Sequence, residues 1–257
     1  MSDEIKKLEL RDLLDAHYSV SINKEMRSSD KIDNTLKGLV TIRDTETQRV
    51  IFKERQNLIV LRGRTFALEK LFDDPIGSNG GSSYISDLNR KIIGFKVGKG
   101  GTPAGDPFAP YAPSPLDLTL ASAVPFRLHD LNESGNDNPR TFIPSSEIAN
   151  YGQPTIVDAA RTHYYMKHFD NRDPEWVWNN STNEVYKLIM MSVTKNDCRT
   201  EAANIVNELS LLMAGENGSD VNGASVFVRP EIFSRITFPS EFMSGDKGLE
   251  IEYRIYA

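Results

Sequence analysis

The run Gly98-Lys99-Gly100-Gly101-Thr102-Pro103 offers the chemistry of a phosphate cradle. Glycines leave backbone amides free to point at an anion, and a lysine supplies charge. The spacing speaks against it. A dinucleotide-binding turn needs a third glycine where Pro103 stands, followed by a helix. A Gly-Lys-Ser/Thr phosphate loop fails twice: Gly94 and Gly98 are one residue too close, and Gly100 follows Lys99. A tight turn leaving a strand accounts for these glycines.

The histidines are His17, His129, His163 and His168. His163 and His168 are five apart, which puts them off a common helix face and on opposite faces of a regular strand. Asp170 and Asp173 stand close by, but no zinc spacing links the set. Cys198 lies in the polar, turn-like Lys195-Asn196-Asp197-Cys198-Arg199 with no motif marking a base. There is no Gly-x-Ser-x-Gly elbow, and no carboxylate pair stands out from the 36 acidic residues. Trp176, Trp178, Tyr164, Tyr165 and Tyr186 could line a carbohydrate-binding face, although aromatics at strand spacing more often form core or protein contacts. The chain is therefore expected not to be an enzyme. It offers no catalytic residue, no cofactor-binding residue and no metal ligand, and it implies no cofactor.

The bulk properties narrow the class. A chain of 257 residues suits one large domain or two modest ones. The net charge of −6 argues against a broad basic face for nucleic acid. No stretch reaches the ~18 consecutive apolar residues of a membrane helix, and Met1 to Leu14 is charged throughout, unlike a signal peptide. One cysteine excludes an internal disulfide framework. These features lead us to expect an acidic, soluble protein made in the cytoplasm.

The elements that must position any site read as mainly β. Residues 1–32 form a charged arm, with Leu8, Leu10, Leu13 and Leu14 loosely on one helical face; residues 33–257 form the domain. Leu39 to Ile42 and Val50 to Phe52 flank the polar turn Asp44 to Gln48 as a hairpin. The apolar run Asn57 to Val60 leads into an amphipathic helix over Arg64 to Phe72, with Leu61, Leu68, Leu71 and Phe72 on its apolar side.

Ile92 to Val97 is a strand opening into a loop or insertion over about 100–183. Eight of the 13 prolines lie between Pro103 and Pro144, and a loop of such length is uncommon unless it binds something. Thr162 to Met166, Trp176 to Trp178, Tyr186 to Val193 and Val226 to Val228 read as strands, whereas Ala202 to Leu212 suits helix or strand. Leu249, Ile251, Tyr253 and Ile255 alternate with Glu250, Glu252, Arg254 and Tyr256, the pattern of a strand with one buried and one wet face. Ile232 to Phe238, through the turn Gly245 to Gly248, is its expected hairpin partner.

Five segments, in order, resemble structural proteins of tailed bacteriophages. They are Asn57-Leu58-Ile59-Val60 with Gly63-Arg64, Leu68 and Leu71; Val97-Gly98-Lys99-Gly100; Pro113-Ser114-Pro115-Leu116-Asp117-Leu118-Thr119-Leu120; Asn207-Glu208-Leu209-Ser210-Leu211-Leu212; and Arg235-Ile236-Thr237-Phe238 with the alternating last strand. They span about residues 36–257. Ser210 replaces the family's glycine, and the stretch from Phe126 to Asn183 is longer than the pattern.

The resemblance implies strand over helix at residues 207–212 and a non-enzymatic virion subunit of the tail or baseplate. Its partners would be copies of itself and other virion proteins, with no nucleic acid and no membrane. Its location would be the virion, after synthesis in the host cytoplasm.

The expected fold is an antiparallel β-sandwich with one short amphipathic helix, an N-terminal arm and long Pro-rich loops. Leu58, Val60, Leu68, Leu71, Val97, Leu188, Met190, Phe238, Ile251 and Tyr253 are its expected core. The expected assembly contacts are Leu8, Leu10, Leu13 and Leu14 in the arm and Pro107, Phe108, Tyr111, Pro113 and Pro115 in the loop. These segments carry apolar residues with little local structure to bury them. The final strand is expected to leave an edge for another subunit. The alternatives are a neck, collar or head-decoration protein, or a carbohydrate-binding receptor-recognition module with Trp176 and Trp178 exposed beside His163 and His168.

Overall fold

The alternation of the last strand is realised from Leu249 to Tyr253: Leu249, Ile251 and Tyr253 have no exposed surface, whereas at its end Ile255 is half-buried and Tyr256, expected on the wet face, is buried. The computed structural model describes residues 36–72, 90–130, 150–152, 154–156, 161–182, 184–194, 197, 205–219, 225–243 and 247–256. The chain divides into Met1–Thr35 and Leu36–Ala257. The expected contacts Leu8, Leu10, Leu13 and Leu14, together with His17 and Cys198, lie outside the described residues.

The strands are β1 (Lys37–Asp44), β2 (Val50–Ile59), β3 (Lys91–Gly98), β4 (Arg127–Asp130), β5 (Pro154–Ile156) and β6 (Arg161–Tyr164). They continue with β7 (Lys167–His168), β8 (Glu175–Asn179), β9 (Glu184–Val193), β10 (Ile205–Ser219), β11 (Ser225–Phe242) and β12 (Leu249–Tyr256). A helix, α1 (Leu61–Phe72), follows β2. Residues 205–219 are therefore strand, as the resemblance implied.

The fold is mainly β and every strand pair is antiparallel. In place of two separate stacked sheets, nine strands form one continuous sheet in the order β7-β3-β10-β11-β2-β1-β12-β9-β8, and β4-β6-β5 form a small second sheet. The large sheet curls into a half-barrel. Its two halves are joined through only two residue pairs, Ser234↔Ile59 and Arg235↔Leu58. Register shifts along β10–β11 and β1–β2 add bend and twist. At one of them Glu54 adopts φ 50°, and its amide donates to Thr41 Oγ1 at 3.1 Å.

The curl brings both halves onto one core. Val40, Ile42, Ile189, Met191, Val193, Ile251 and Tyr253 from one half meet Phe95, Val97, Leu209, Leu211, Phe233 and Phe238 from the other. Phe126, Tyr151 and Tyr164 extend the same core from the long insertion, with ring centroids 5.6 Å from Phe95 to Phe126, 6.1 Å to Tyr151 and 5.8 Å on to Tyr164. Their burial makes the insertion part of the domain core and not a unit apart.

Several expectations are corrected. The final strand does not pair with Ile232 to Phe238: β12 lies between β1 and β9, and β11 pairs with β10 and β2. The chain edge expected at β12 is therefore absent, and the sheet ends at β7 and β8. Val60, Val97, Phe238, Ile251 and Tyr253 are core residues as expected, but Leu188 and Met190 are only half-buried. Ile189, Met191 and Val193 face inward in their place, because β9 carries apolar residues on both sides and its phase is set by pairing with β12. Leu58 is half-buried because Asn57 and Ile59 point inward.

Leu61 and Leu68 are exposed, and the Leu71 side chain lies outside the described residues. The face of α1 that packs is set by Gly63 and Phe66 instead. A Cβ on Gly63 would come within 2.1 Å of the Phe233 carbonyl oxygen, so only glycine lets the helix sit this close to β11. Phe66 then meets Phe233 edge-on at 6.4 Å.

Candidate functional site

The proline-rich segment between β3 and β4 carries little regular structure, so its shape must come from side chains and loop hydrogen bonds. Its base closes where the Lys99 amide donates to the Ser122 carbonyl and the Val124 amide to the Val97 carbonyl, each at 2.9 Å. Leu120 is buried as an apolar anchor beside Val60, Ile93, Met166, Leu212, Phe227 and Ile232. The cluster includes Val60 and Ile93, neighbours of Ile59 and Ile92 on the large core, so it covers the sheet on the other side of β3 and β10.

Glu208 on β10 organises the base. It is fully buried, and its Oε1 accepts from the amides of Gly100 at 3.0 Å and Ser122 at 3.3 Å. Its Oε2 accepts from Arg235 Nη2 at 2.5 Å and Nε at 3.1 Å. The glycine run thus does build an anion cradle, as its chemistry allows, and the anion is the chain's own carboxylate.

Next to it, Asn207 Oδ1 accepts from the Gly101 amide at 2.7 Å while Asn207 Nδ2 donates to Thr102 Oγ1 at 2.8 Å. A Cβ on Gly101 would lie 2.2 Å from the Asn207 carbonyl oxygen, so the loop can press this close only with glycine there.

Arg235 carries the same anchor outward. Its Nη1 donates to Asp117 Oδ2 at 2.6 Å, and Asp117 Oδ2 in turn accepts from the Ser114 amide at 2.9 Å. Burial works against the guanidinium's charge, but the bonds to Asp117 and Glu208 outweigh it and hold the Arg235 pKa above its ordinary value. The Pro115 carbonyl accepts from the Leu61 amide at 2.8 Å, tying the loop to the first turn of α1. Farther along, the Tyr111 amide donates to the Gly101 carbonyl and the Ser240 amide to the Pro107 carbonyl, each at 2.8 Å, and Thr237 Oγ1 donates to the Tyr111 carbonyl.

A framework secured at this many points presents large apolar side chains to solvent. Phe108 is 76% exposed, Tyr111 52%, Leu116 72% and Leu118 61%. Of the expected loop contacts, Pro107, Phe108 and Tyr111 are on this surface, whereas Pro113 and Pro115 are half-buried and belong to its framework. Leu116 and Leu118 join this surface, a position the sequence signals only through their alternation with Leu120, the one of the three that turns inward. The motif residues Gly100, Ser114, Asp117, Asn207, Glu208, Arg235 and Thr237 come together here, and each one's bonds hold the loop. Ser210 is buried with its Oγ unpartnered among the described residues.

The other candidates separate. His168 is buried, with Nδ1 3.1 Å from the Ile93 carbonyl oxygen and Nε2 3.2 Å from Glu216 Oε1. It does not stand exposed beside the tryptophans, which corrects that arrangement. Burial pushes its pKa down, the Arg172 charge adds to this, and Glu216 opposes both. The His163 side chain lies outside the described residues. Among the described residues no cluster of three or more His, Cys, Asp or Glu side chains could hold a metal, and no helix is long and apolar enough to cross a membrane.

Lys167 and Asp197 form a buried ion pair at 3.0 Å, with the Tyr151 hydroxyl donating to the same carboxylate. Burial pushes the Asp197 pKa up, but Lys167 and the hydrogen bonds outweigh it and bring it below the ordinary value. Compared with known proteins, the chain matches no family model, no curated protein and no solved structure.

Proposed function

We propose that this chain is a non-enzymatic structural subunit of a tailed-phage virion, in the tail or baseplate, holding its neighbours through the N-terminal arm and the loop over residues 99–126. The observation that carries the reading is the loop itself. A buried Arg235–Glu208 pair, Asp117 and Leu120 fix a backbone whose outermost side chains are Phe108, Tyr111, Leu116 and Leu118. Pre-ordering of an apolar surface lowers the entropy lost when a partner covers it, and apolar side chains clustered in solvent mark interaction surfaces. The motifs that resemble phage structural proteins are the residues that build this framework, which supports the reading. The glycine run is occupied by Glu208 and not left open for a phosphate.

Immunogold electron microscopy of intact virions, with antibody against this chain, tests the proposal. Label on the tail or its distal end is the expected result. Label at the head–tail junction would move the subunit to the neck, and absence from virions would overturn the reading.

A further inference from the structure

The two ends of the large sheet are finished differently. At one end β7 is two residues long, both buried, and Tyr151 bridges to Lys167, whose Nζ is held by Asp197 and by the Ser192 carbonyl, each at 3.0 Å. That edge is short and covered, as natural sheets arrange. At the other end β8 pairs only with β9, and among the described residues nothing bonds to its outer side. It contains no proline and no lysine. It carries Trp176 and Trp178, 55% and 70% exposed.

Register places both indoles on the core-bearing face. Trp176 pairs with Lys187 and Trp178 with Val185, and Lys187 is two residues from the buried Ile189, hence on its side of the strand. The lysine beside Trp176 does not shield the edge: Lys187 Nζ donates to the Pro174 carbonyl at 2.8 Å and lies 4.8 Å from the Trp176 ring centroid.

We propose that β8 is a homotypic interface, pairing antiparallel with β8 of a second copy about a two-fold axis at Val177. Glu175-Trp176-Val177-Trp178-Asn179 is self-complementary in that register. Each Trp176 stands opposite the second copy's Trp178, an aromatic cross-strand pair, and Val177 meets Val177.

Charge selects this direction. Glu175 is the only charged residue of the strand, and antiparallel pairing sets it opposite Asn179. The two carboxylates are then four residues apart along the ladder, roughly 13 Å, beyond the Debye length of about 8 Å at physiological salt. Parallel pairing would set Glu175 against Glu175. The pairing also joins two half-barrel sheets through backbone hydrogen bonds that the free edge lacks. This inference deepens the proposed function by naming a second copy as the partner at one surface. It is tested on the purified full chain, so its failure and that of the virion assignment are read separately.

Trp176 and Trp178 are the chain's only tryptophans, so its indole emission reports this patch alone. Sedimentation and fluorescence over a dilution series should show dimers whose emission moves to longer wavelength as they dissociate. Trp178→Lys, at an exposed position, should melt like wild type diluted to monomer and give monomers at every concentration. In a Cys198→Ser background, Val177→Cys should cross-link two copies on mild oxidation while Glu175→Cys should not, because the register sets the two Val177 Cα atoms about 4.5–5.5 Å apart. A chain that stays monomeric with concentration-independent emission overturns the proposal. So does cross-linking at Glu175 in preference to Val177, or emission that responds to a glycan panel and not to chain concentration.

Discussion

Arg235 on β11 and Asp117 in the β3–β4 loop meet at 2.6 Å although 118 residues separate them in sequence, and the same guanidinium closes on the fully buried Glu208 at 2.5 Å. A loop residue and a strand residue are thus held by one side chain, so the loop's position is coupled to the pairing of β10 with β11.

Removing that guanidinium leaves Glu208 charged and half-satisfied inside the protein. Arg235→Ala should lower unfolding stability by about 3–5 kcal/mol, read as a fall in the urea midpoint. Arg235→Met combined with Glu208→Gln should recover part of this loss, because the neutral amide removes the unpaired charge while its oxygen still accepts from the Gly100 and Ser122 amides. Both variants should cut faster than wild type within residues 99–126 under limited proteolysis, since Asp117 loses its partner in each.

Two alanine substitutions in one loop should behave differently. A Cβ at Gly101 meets the Asn207 carbonyl oxygen at 2.2 Å, whereas one at Gly105 meets nothing within 4 Å. Gly101→Ala should therefore cost about 1–3 kcal/mol, the range of overpacked sites, and Gly105→Ala should stay within about 0.5 kcal/mol. Paired thermal melts decide it, and equal melts would mean that the loop base is looser than described.

His168 should make stability depend on pH. Burial first, and then the Arg172 charge, depress its pKa against the pull of Glu216. Below about 6.5 the unfolded chain binds a proton at this residue that the folded chain refuses. Stability is then complete above that pH and is lost as pH falls toward the lower folded value, by at most about 1.4 kcal/mol per pH unit. Urea titrations at neutral and mildly acidic pH should show the slope, and His168→Gln should flatten it.

Phe108→Ser, Leu116→Ser and Leu118→Ser together should leave stability within about 0.5 kcal/mol, because all three side chains are exposed. The triple variant should fail to enter particles when it replaces the wild-type chain during phage growth. Incorporation at wild-type levels would remove the loop from the proposed contacts.

How far the sequence could be read depended on whether the deciding forces were local. β12 was legible because strict alternation puts one set of residues inside whatever its neighbours are. β9 was not: Leu188 and Met190 are as apolar as Ile189 and Met191, and only pairing with β12 chooses between them. The partners of β12 were missed because adjacency in sequence favoured β11, whereas β1 and β9 supply the matching core faces. Leu68 lies on an apolar helical stripe, yet the close approach of Gly63 to Phe233 turns another face inward.

The loop surface was found through Phe108 and Tyr111, since apolar residues among prolines stand out. The framework beneath it was not, because Glu208 looks like any acidic residue until its amide donors at Gly100 and Ser122 arrive from 108 and 86 residues away.

The pairing of β1 with β12, from Lys37↔Tyr256 to Asp44↔Leu249, constrains the order of events during synthesis. β1 leaves the ribosome long before its partner exists, and about two hundred residues must follow before the ladder can form, a long closure of the kind that slows folding. Until then the inward faces of β1 and β2 have no covering half. Nascent chains stalled before Leu249 should therefore remain protease-sensitive and dependent on holding chaperones, and protection should arrive in one step once β12 clears the exit tunnel.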